Sequence, residues 1–460
     1  MYTLALLLLL AAAPRAAGAA KRARRKVTPR EGPVATTIEE RGLLAVEVDP
    51  ADLAEGAREW HSAGGGGGGG GEGAPAAAAA RRRFAGSVLG YVTPWNRWGY
   101  EAAVTFRGKL THVSPVWYQL RLDPDGQLAL VGGHEFNASW IGELRAPLPG
   151  AEGGGGGAAC AEGAEAGGEQ ECSAAARGAA AGAAPPLVVP RVIVELDGRG
   201  VGLLLGRPGP AIERLLEEVT KRGYDGLVLE CWQAWARGFE DEGFRSAALG
   251  FMKQLGANLV DAGKVLILAV PPALPASPGR PHADTDALAS LADVVAGFSV
   301  MTYDHLVAAP GHNGPLPWQR RNLELLLEAP GGGGGGGGDE KKKEGKSKGR
   351  IAPGQVLLGV NFYGYEFSRP EAAPPSEQWS SDAVMGPRFL SVLARLQPPL
   401  RWDADEAEHH IKFKDGGRKR QMYFPTPASL DARLRLAREW GAGLSIWELG
   451  QGLEALLDAL

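Results

Sequence analysis

Residues Gly223 to Gln233 read Gly-Tyr-Asp-Gly-Leu-Val-Leu-Glu-Cys-Trp-Gln. An Asp-Gly pair opens a short run of Leu and Val, and a single acid closes it. Side chains alternate along a strand, so Val228, Glu230 and Trp232 are expected on one face. Asp225, Leu227, Leu229 and Cys231 then share the other. Apolar residues stand on both faces, which suits a strand covered on both sides, as in a parallel sheet.

The same pattern recurs along the chain. Apolar runs lie at Val88 to Thr93, Leu110 to Trp117, Leu187 to Val194, Tyr224 to Glu230, Val265 to Val270, Val295 to Tyr303, Val356 to Phe362 and Gly443 to Trp447. Helical stretches are expected between several of them, at Ala211 to Arg222, Phe244 to Ala262, Asp284 to Val294 and Leu430 to Trp440. Eight buried strands with intervening helices predict an α/β fold, a (β/α)8 TIM barrel. An open doubly wound sheet is the alternative. The stretch Glu195 to Pro210 is rich in Gly and Leu and gives little helix signal.

The barrel is expected over residues 84–460, after a signal peptide at 1–20 and an N-terminal segment with a Gly/Ala-rich linker at 21–83. Leu4 to Ala13 is apolar and too short to span a bilayer, and small residues follow, as in a secretory signal peptide. Lys21 to Lys26 is a basic cluster, read as a solvated tail. Two inserts, about 150–184 and 331–348, have the composition of disordered segments. The chain has 460 residues and a formal charge of −4, which argues against a nucleic-acid partner. No later stretch has the length and apolarity of a membrane span. Three Cys make no disulfide framework. Asn137-Ala138-Ser139 is an acceptor for N-glycosylation if the chain is secreted. His409 and His410 lack a metal-ligand pattern and read as surface residues. No cofactor or metal is implied.

Barrel enzymes build their sites at the carboxyl ends of the strands. Here those ends are aromatic: Gly90-Tyr91-Val92-Thr93-Pro94-Trp95-Asn96, Trp117-Tyr118, Glu230-Cys231-Trp232, Met301-Thr302-Tyr303-Asp304, Asn361-Phe362-Tyr363-Gly364 and Trp447-Glu448. Aromatic faces flanked by a few polar groups suit a cleft that stacks on pyranose rings. Stacking surfaces are expected from Tyr91, Trp95, Trp117, Trp232, Tyr363, Trp402 and Trp447. Polar contacts are expected from Glu230, Tyr303, Asp304 and Asn361.

Several of these motifs resemble glycoside hydrolase family 18. Its fourth barrel strand runs Asp-Gly-x-Asp-x-Asp-x-Glu, and the last Glu is the catalytic acid. Anchored on Asp225 and Gly226, those acidic positions fall on Val228, Glu230 and Trp232. Met301-Thr302-Tyr303-Asp304 resembles the family's sixth-strand motif, whose Tyr supports the substrate acetamido group. Leu358 to Gly364 resembles its seventh strand, and Trp447 the eighth-strand Trp under the central sugar. Arg401-Trp402-Asp403 falls where many members carry a small lobe between strands 7 and 8.

The resemblance implies a barrel whose catalytic acid has become Trp232. Glu230 sits two residues early, about 6.5 Å along a strand, whereas an acid must reach within roughly 3 Å of its target. The expectation is a secreted and lysosomal chitinase-like lectin that is not an enzyme and takes chitooligosaccharide or lipopolysaccharide glycan. A closer likeness to a chitinase-like branch of the family implies a stabilin-type scavenger receptor as partner. Two other readings stand beside it: a hydrolase with its acid relocated to Asp304 or Glu448, and a receptor-binding scaffold.

Overall fold

The computed structural model describes residues 34–61, 82–148, 184–327, 350–374 and 376–460. The expected signal peptide, the basic cluster, the poly-Gly stretch and nearly all of both inserts lie outside the described residues.

All eight apolar runs are strands of one sheet, and the sheet closes. Barrel strand 1 is β1 (Val88–Val92). Strand 2 is broken into β2 (His112–Pro115) and β3 (Tyr118–Leu122), and β3 turns back through β4 (Leu128–Val131). Strand 3 is broken into β5 (Leu187–Val188) and β6 (Arg191–Val194), at Pro190, which has no N–H to give a ladder. The rest are β7 (Gly226–Glu230), β8 (Val265–Val270), β9 (Gly297–Val300) and β10 (Val356–Asn361). Because β2 pairs with β5 while β3 pairs with β6, the two broken strands join the ends of the sheet. The last barrel strand, Gly443–Trp447, pairs with both β10 and β1 and completes the ring.

Alternation sorts the core into two layers. Leu89, Tyr91, Val116, Val189, Val228, Ile267, Ala269 and Leu357 pack together inside the barrel. Their neighbours Leu227, Leu229, Leu266 and Leu268 face outward into the larger core beneath the helices. Asp225 and Gly226 prove structural. The Asp225 carboxylate accepts from the Val188 N–H at 2.9 Å and from Arg145 at 2.7 Å. A Cβ on Gly226 would stand 2.0 Å from the Val265 carbonyl oxygen.

Helices Gly209–Arg222, Glu242–Asp261 and Pro427–Trp440 match their expected runs. Only Thr285–Ala289 of the Asp284 to Val294 stretch is helical. The Gly/Leu-rich stretch after strand 3 forms a helix, Gly198–Gly206. There the Asp197 carboxylate caps Gly200 N–H at 2.8 Å, and Val201 and Leu204 are buried. A cap and two buried anchors outweigh the poor helix propensity of glycine.

Between β10 and the final barrel strand lies a lobe. It is an antiparallel sheet of β11 (Gly364–Pro370), β12 (Ser380–Val384), β13 (Leu400–Asp403), β14 (Glu408–Asp415) and β15 (Arg418–Tyr423), backed by the helix Gly386–Leu396. The final barrel strand is thus β16. Register places Tyr365, Tyr423, His410 and Arg401 on one face of the lobe, and Trp402 and His409 on the other.

His409 is not a surface residue. It is 1 % exposed, with its ring nitrogens at 2.8 Å from Thr426 Oγ1 and 2.9 Å from the Val46 carbonyl. His410 is half-buried and stacks on Tyr423. Residues 34–61 bury Ile38, Leu43 and Leu53 in the main core, with the helix Pro50–Gly56 against Gly386–Leu396. They are tied to the C-terminal turn by an ion pair, Arg41 to Asp458 at 2.5 Å, and by the His61 N–H donating to Asp458 at 2.7 Å. Among the described residues, no helix is long and apolar enough to cross a membrane.

Candidate functional site at the barrel mouth

Inward-facing positions at the carboxyl ends of the strands converge on one polar and aromatic cluster. From β6, Arg191 donates Nε–H to Glu230 Oε2 on β7 at 2.5 Å; the two side chains are only 4 % and 10 % exposed. The Arg191 guanidinium also lies 5.4 Å from the centre of the Trp447 ring on β16. Tyr91 on β1 packs against the same indole with ring centres 5.4 Å apart. Below it, the Tyr91 hydroxyl donates to Ser299 at 3.0 Å, and Ser299 meets Ser445 at 2.6 Å. These bonds lock the base of the site and leave the half-buried Trp447 ring above it.

The loop after β9 supplies the other wall. Asp304, in the left-handed region at φ 61°, accepts from the hydroxyls of Tyr363 and Tyr365, the latter at 2.9 Å. Its own N–H donates to Asn313 at 2.6 Å. Burial pushes the Asp304 carboxyl up, and the two phenols and Arg280 oppose that rise. Burial, helped by the fields of Tyr91, Asp304 and Glu230, drives the Tyr303 hydroxyl well above its ordinary value, so it stays a neutral donor. Tyr303 meets Tyr363 edge-on at 6.4 Å, and Asn361 donates to the Tyr363 carbonyl at 2.6 Å.

The fold therefore brings together Tyr91, Glu230, Tyr303, Asp304, Asn361, Tyr363 and Trp447. It leaves four expected residues elsewhere. Trp95 stands 57 % exposed on the loop after β1. Trp117 is buried on the outside of the barrel, where it donates to Tyr100 at 2.7 Å and packs on Trp140 and Phe136. Trp402 packs on His409 at 4.8 Å, on the lobe face turned away from Tyr365.

Trp232 is 1 % exposed and stacked on Phe239 at 4.7 Å, within the outer core. The strand ends at Glu230; Cys231 leaves the extended conformation at ψ −25° and a helix begins at Trp232. Strand alternation stops there, so Trp232 does not reach the face that Glu230 occupies. It fills no part of the mouth.

Glu448 is also outside the mouth. It is fully buried, accepts from Asn96 at 2.6 Å and from Gly450 N–H at 3.3 Å, and crowds Gly99. Burial pushes its carboxyl up to about 7 against those hydrogen bonds. Arg191, Ser299, Ser445 and Tyr365 complete the site and were not anticipated. Arg191 had a legible signal: it is the lone charge in Val188-Val189-Pro190-Arg191-Val192-Ile193-Val194, two residues beyond the inward Val189. Among the described residues, no cluster of His, Cys, Asp and Glu could hold a metal ion.

This architecture is shared with known proteins. A chitinase from Chromobacterium violaceum superposes with a TM-score of 0.57 at 17 % identity, over 82 % of this chain and 98 % of that one. The spore cortex-lytic enzyme SleL of Bacillus megaterium superposes with a TM-score of 0.55 at 15 % identity, over 81 % of this chain and 72 % of that one. In sequence, the chain is 22 % identical over 245 residues to a Bacillus subtilis protein named as a sporulation-specific glycosylase, YdhD. That match covers 52 % of this chain and half the length of that relative. No family profile matches the chain. The chain has the TIM-barrel fold of the chitinases.

Proposed function

We propose that this chain is a chitinase-like member of glycoside hydrolase family 18 that binds saccharides at the barrel mouth without hydrolysing them. One observation carries the reading: Glu230, the inward acid at the end of β7, is engaged in a buried ion pair with Arg191. A general acid needs a proton to give and a clear approach to the glycosidic oxygen. The position that carries the acid in family 18 is Trp232, which is packed on Phe239. Trp447 supplies the stacking face, and Tyr303, Tyr363 and Asp304 supply hydrogen-bonding groups around it.

The chitinases among the structural neighbours favour N-acetylglucosamine oligomers as ligands, with lipopolysaccharide glycan as a further candidate. The particular protein whose motifs the sequence resembles is stabilin-interacting chitinase-like protein. That likeness favours secretion, a lysosomal destination, a glycan at Asn137 and a stabilin-type receptor.

The test is calorimetry with N-acetylglucosamine oligomers, followed by mass analysis of the same sample. Binding with intact sugar, lost in Trp447→Ala, supports the lectin. Cleavage products would overturn it and direct attention to Asp304, the remaining carboxylate at the mouth besides the paired Glu230. Receptor capture that is insensitive to Trp447→Ala, with no sugar bound, would favour a scaffold role.

A further inference from the structure

The loop that carries Asp304 is closed at its base and fastened to the lobe. Asn313 cinches it: its side-chain oxygen accepts from Asp304 N–H, and its carbonyl accepts from His305 N–H at 2.9 Å. The N–H groups of Asn313 and Gly314 then donate to Glu408 on β14 at 3.1 and 3.0 Å. Glu408 is 8 % exposed and is also bonded by Arg433 at 2.9 Å.

His312 sits between two lobe carboxylates. Its Nε2 is 3.1 Å from Asp403 Oδ2 and its Nδ1 is 3.3 Å from Glu408 Oε2. A neutral imidazole carries one N–H, so one of these contacts would set a lone pair against a carboxylate oxygen. Only the imidazolium donates to both. The groups around it include Glu406 on the β13–β14 turn, His410 at 6.0 Å and Tyr423 at 5.0 Å. Arg433 approaches from the helix Pro427–Trp440, His305 from the loop itself, and Arg401 and Lys412 act on the neighbouring His410. Burial works against the charge on His312, but Glu408 and then Asp403 outweigh it and hold the imidazole above its ordinary value.

We propose that His312 is an acid-closed clasp: when protonated it ties the Asp304 loop to the lobe, so that the mouth binds saccharide more tightly in acid than at alkaline pH. The link to binding rests on the saccharide reading above. The clasp is complete below the ordinary histidine value of about 6.5 and is lost as pH rises through the higher folded value. By reciprocity, saccharide binding near that pH draws a proton onto the protein.

The experiment uses the full chain, with His312→Gln and Asp403→Asn beside it. Amide exchange of residues 304–314, corrected for intrinsic rates, is read at pH 5.5 and 8.5. Affinity for the N-acetylglucosamine tetramer is measured at the same two values. Wild type should protect the loop and bind sugar about tenfold better at pH 5.5, a coupling of about 1.4 kcal/mol. His312→Gln should lose that pH dependence, and Asp403→Asn should move its midpoint to lower pH. Loop protection equal at both pH values in wild type, or a full pH dependence retained in His312→Gln, overturns the clasp. If Gln at 312 unfolds the chain, Asp403→Asn decides alone, and an unmoved midpoint overturns it. A pH-dependent loop with no sugar bound at either pH supports the clasp and overturns the saccharide reading.

Discussion

Breaking the Arg191–Glu230 pair should cost far more than deleting a surface ion pair. The two side chains are 4 % and 10 % exposed, and Arg191 is pressed over Trp447. Arg191→Met keeps most of the side-chain volume but leaves the Glu230 carboxylate in the barrel without its partner. Removing one member of a buried pair costs about 3–5 kcal/mol, against about 0–1 kcal/mol for an exposed pair. For a chain of this size that is a fall in Tm on the order of 3–7 °C. Arg191→Met/Glu230→Leu should recover most of the loss, because an apolar replacement of both partners strands no charge. Thermal and urea unfolding of the two single variants and the double variant form the cycle that isolates the pair. A cost below about 1 kcal/mol for Arg191→Met, or a double variant no more stable than that single one, would refute the reasoning.

Glu448→Gln tests the buried acid behind β16. Its carboxyl stands at about 7 rather than 4.5, so the folded state prefers it protonated, and wild type loses stability as pH rises from 4.5 through 7. A displacement of that size corresponds to about 3 kcal/mol; melting at pH 5 and 8 should show the decline in wild type and not in Glu448→Gln. Tyr365→Phe removes one of the two phenols on Asp304 and should cost about 1 kcal/mol in urea unfolding. Thr426→Ala removes the cap of the helix Pro427–Trp440 and a partner of His409, so a loss of about 1–2 kcal/mol is expected by the same measurement.

The barrel was legible because its signal is repeated. Each parallel strand is covered on both faces, and each therefore appears as a short apolar run. The site was legible only as far as strand geometry continues. Tyr91, Glu230 and Trp447 stand at inward positions within strands and were placed correctly. Trp232 was placed by extending the alternation past Glu230, but the backbone turns helical there, and no local residue announces the turn. Trp117 follows the inward Val116 and so faces out. Trp402 depends on the register of a lobe whose strands pair only in three dimensions. The helix Gly198–Gly206 was hidden by its glycines: its Asp197 cap is local, but the burial of Val201 and Leu204 that supports it comes from tertiary structure. His312 carries no motif at all; its two carboxylates lie 91 and 96 residues further along the chain.

Arg41 meets Asp458 across 417 residues of chain. At a synthesis rate of about 5–20 residues per second, its partner is made about 20–80 s later. Until then Ile38, Leu43 and Leu53 lack part of the surface that covers them in the finished protein. A nascent chain with such an early, apolar and waiting segment is a natural client for a holding chaperone. Its dependence on one should grow when Asp458 is replaced, because release then comes without the ion pair that seals the seam.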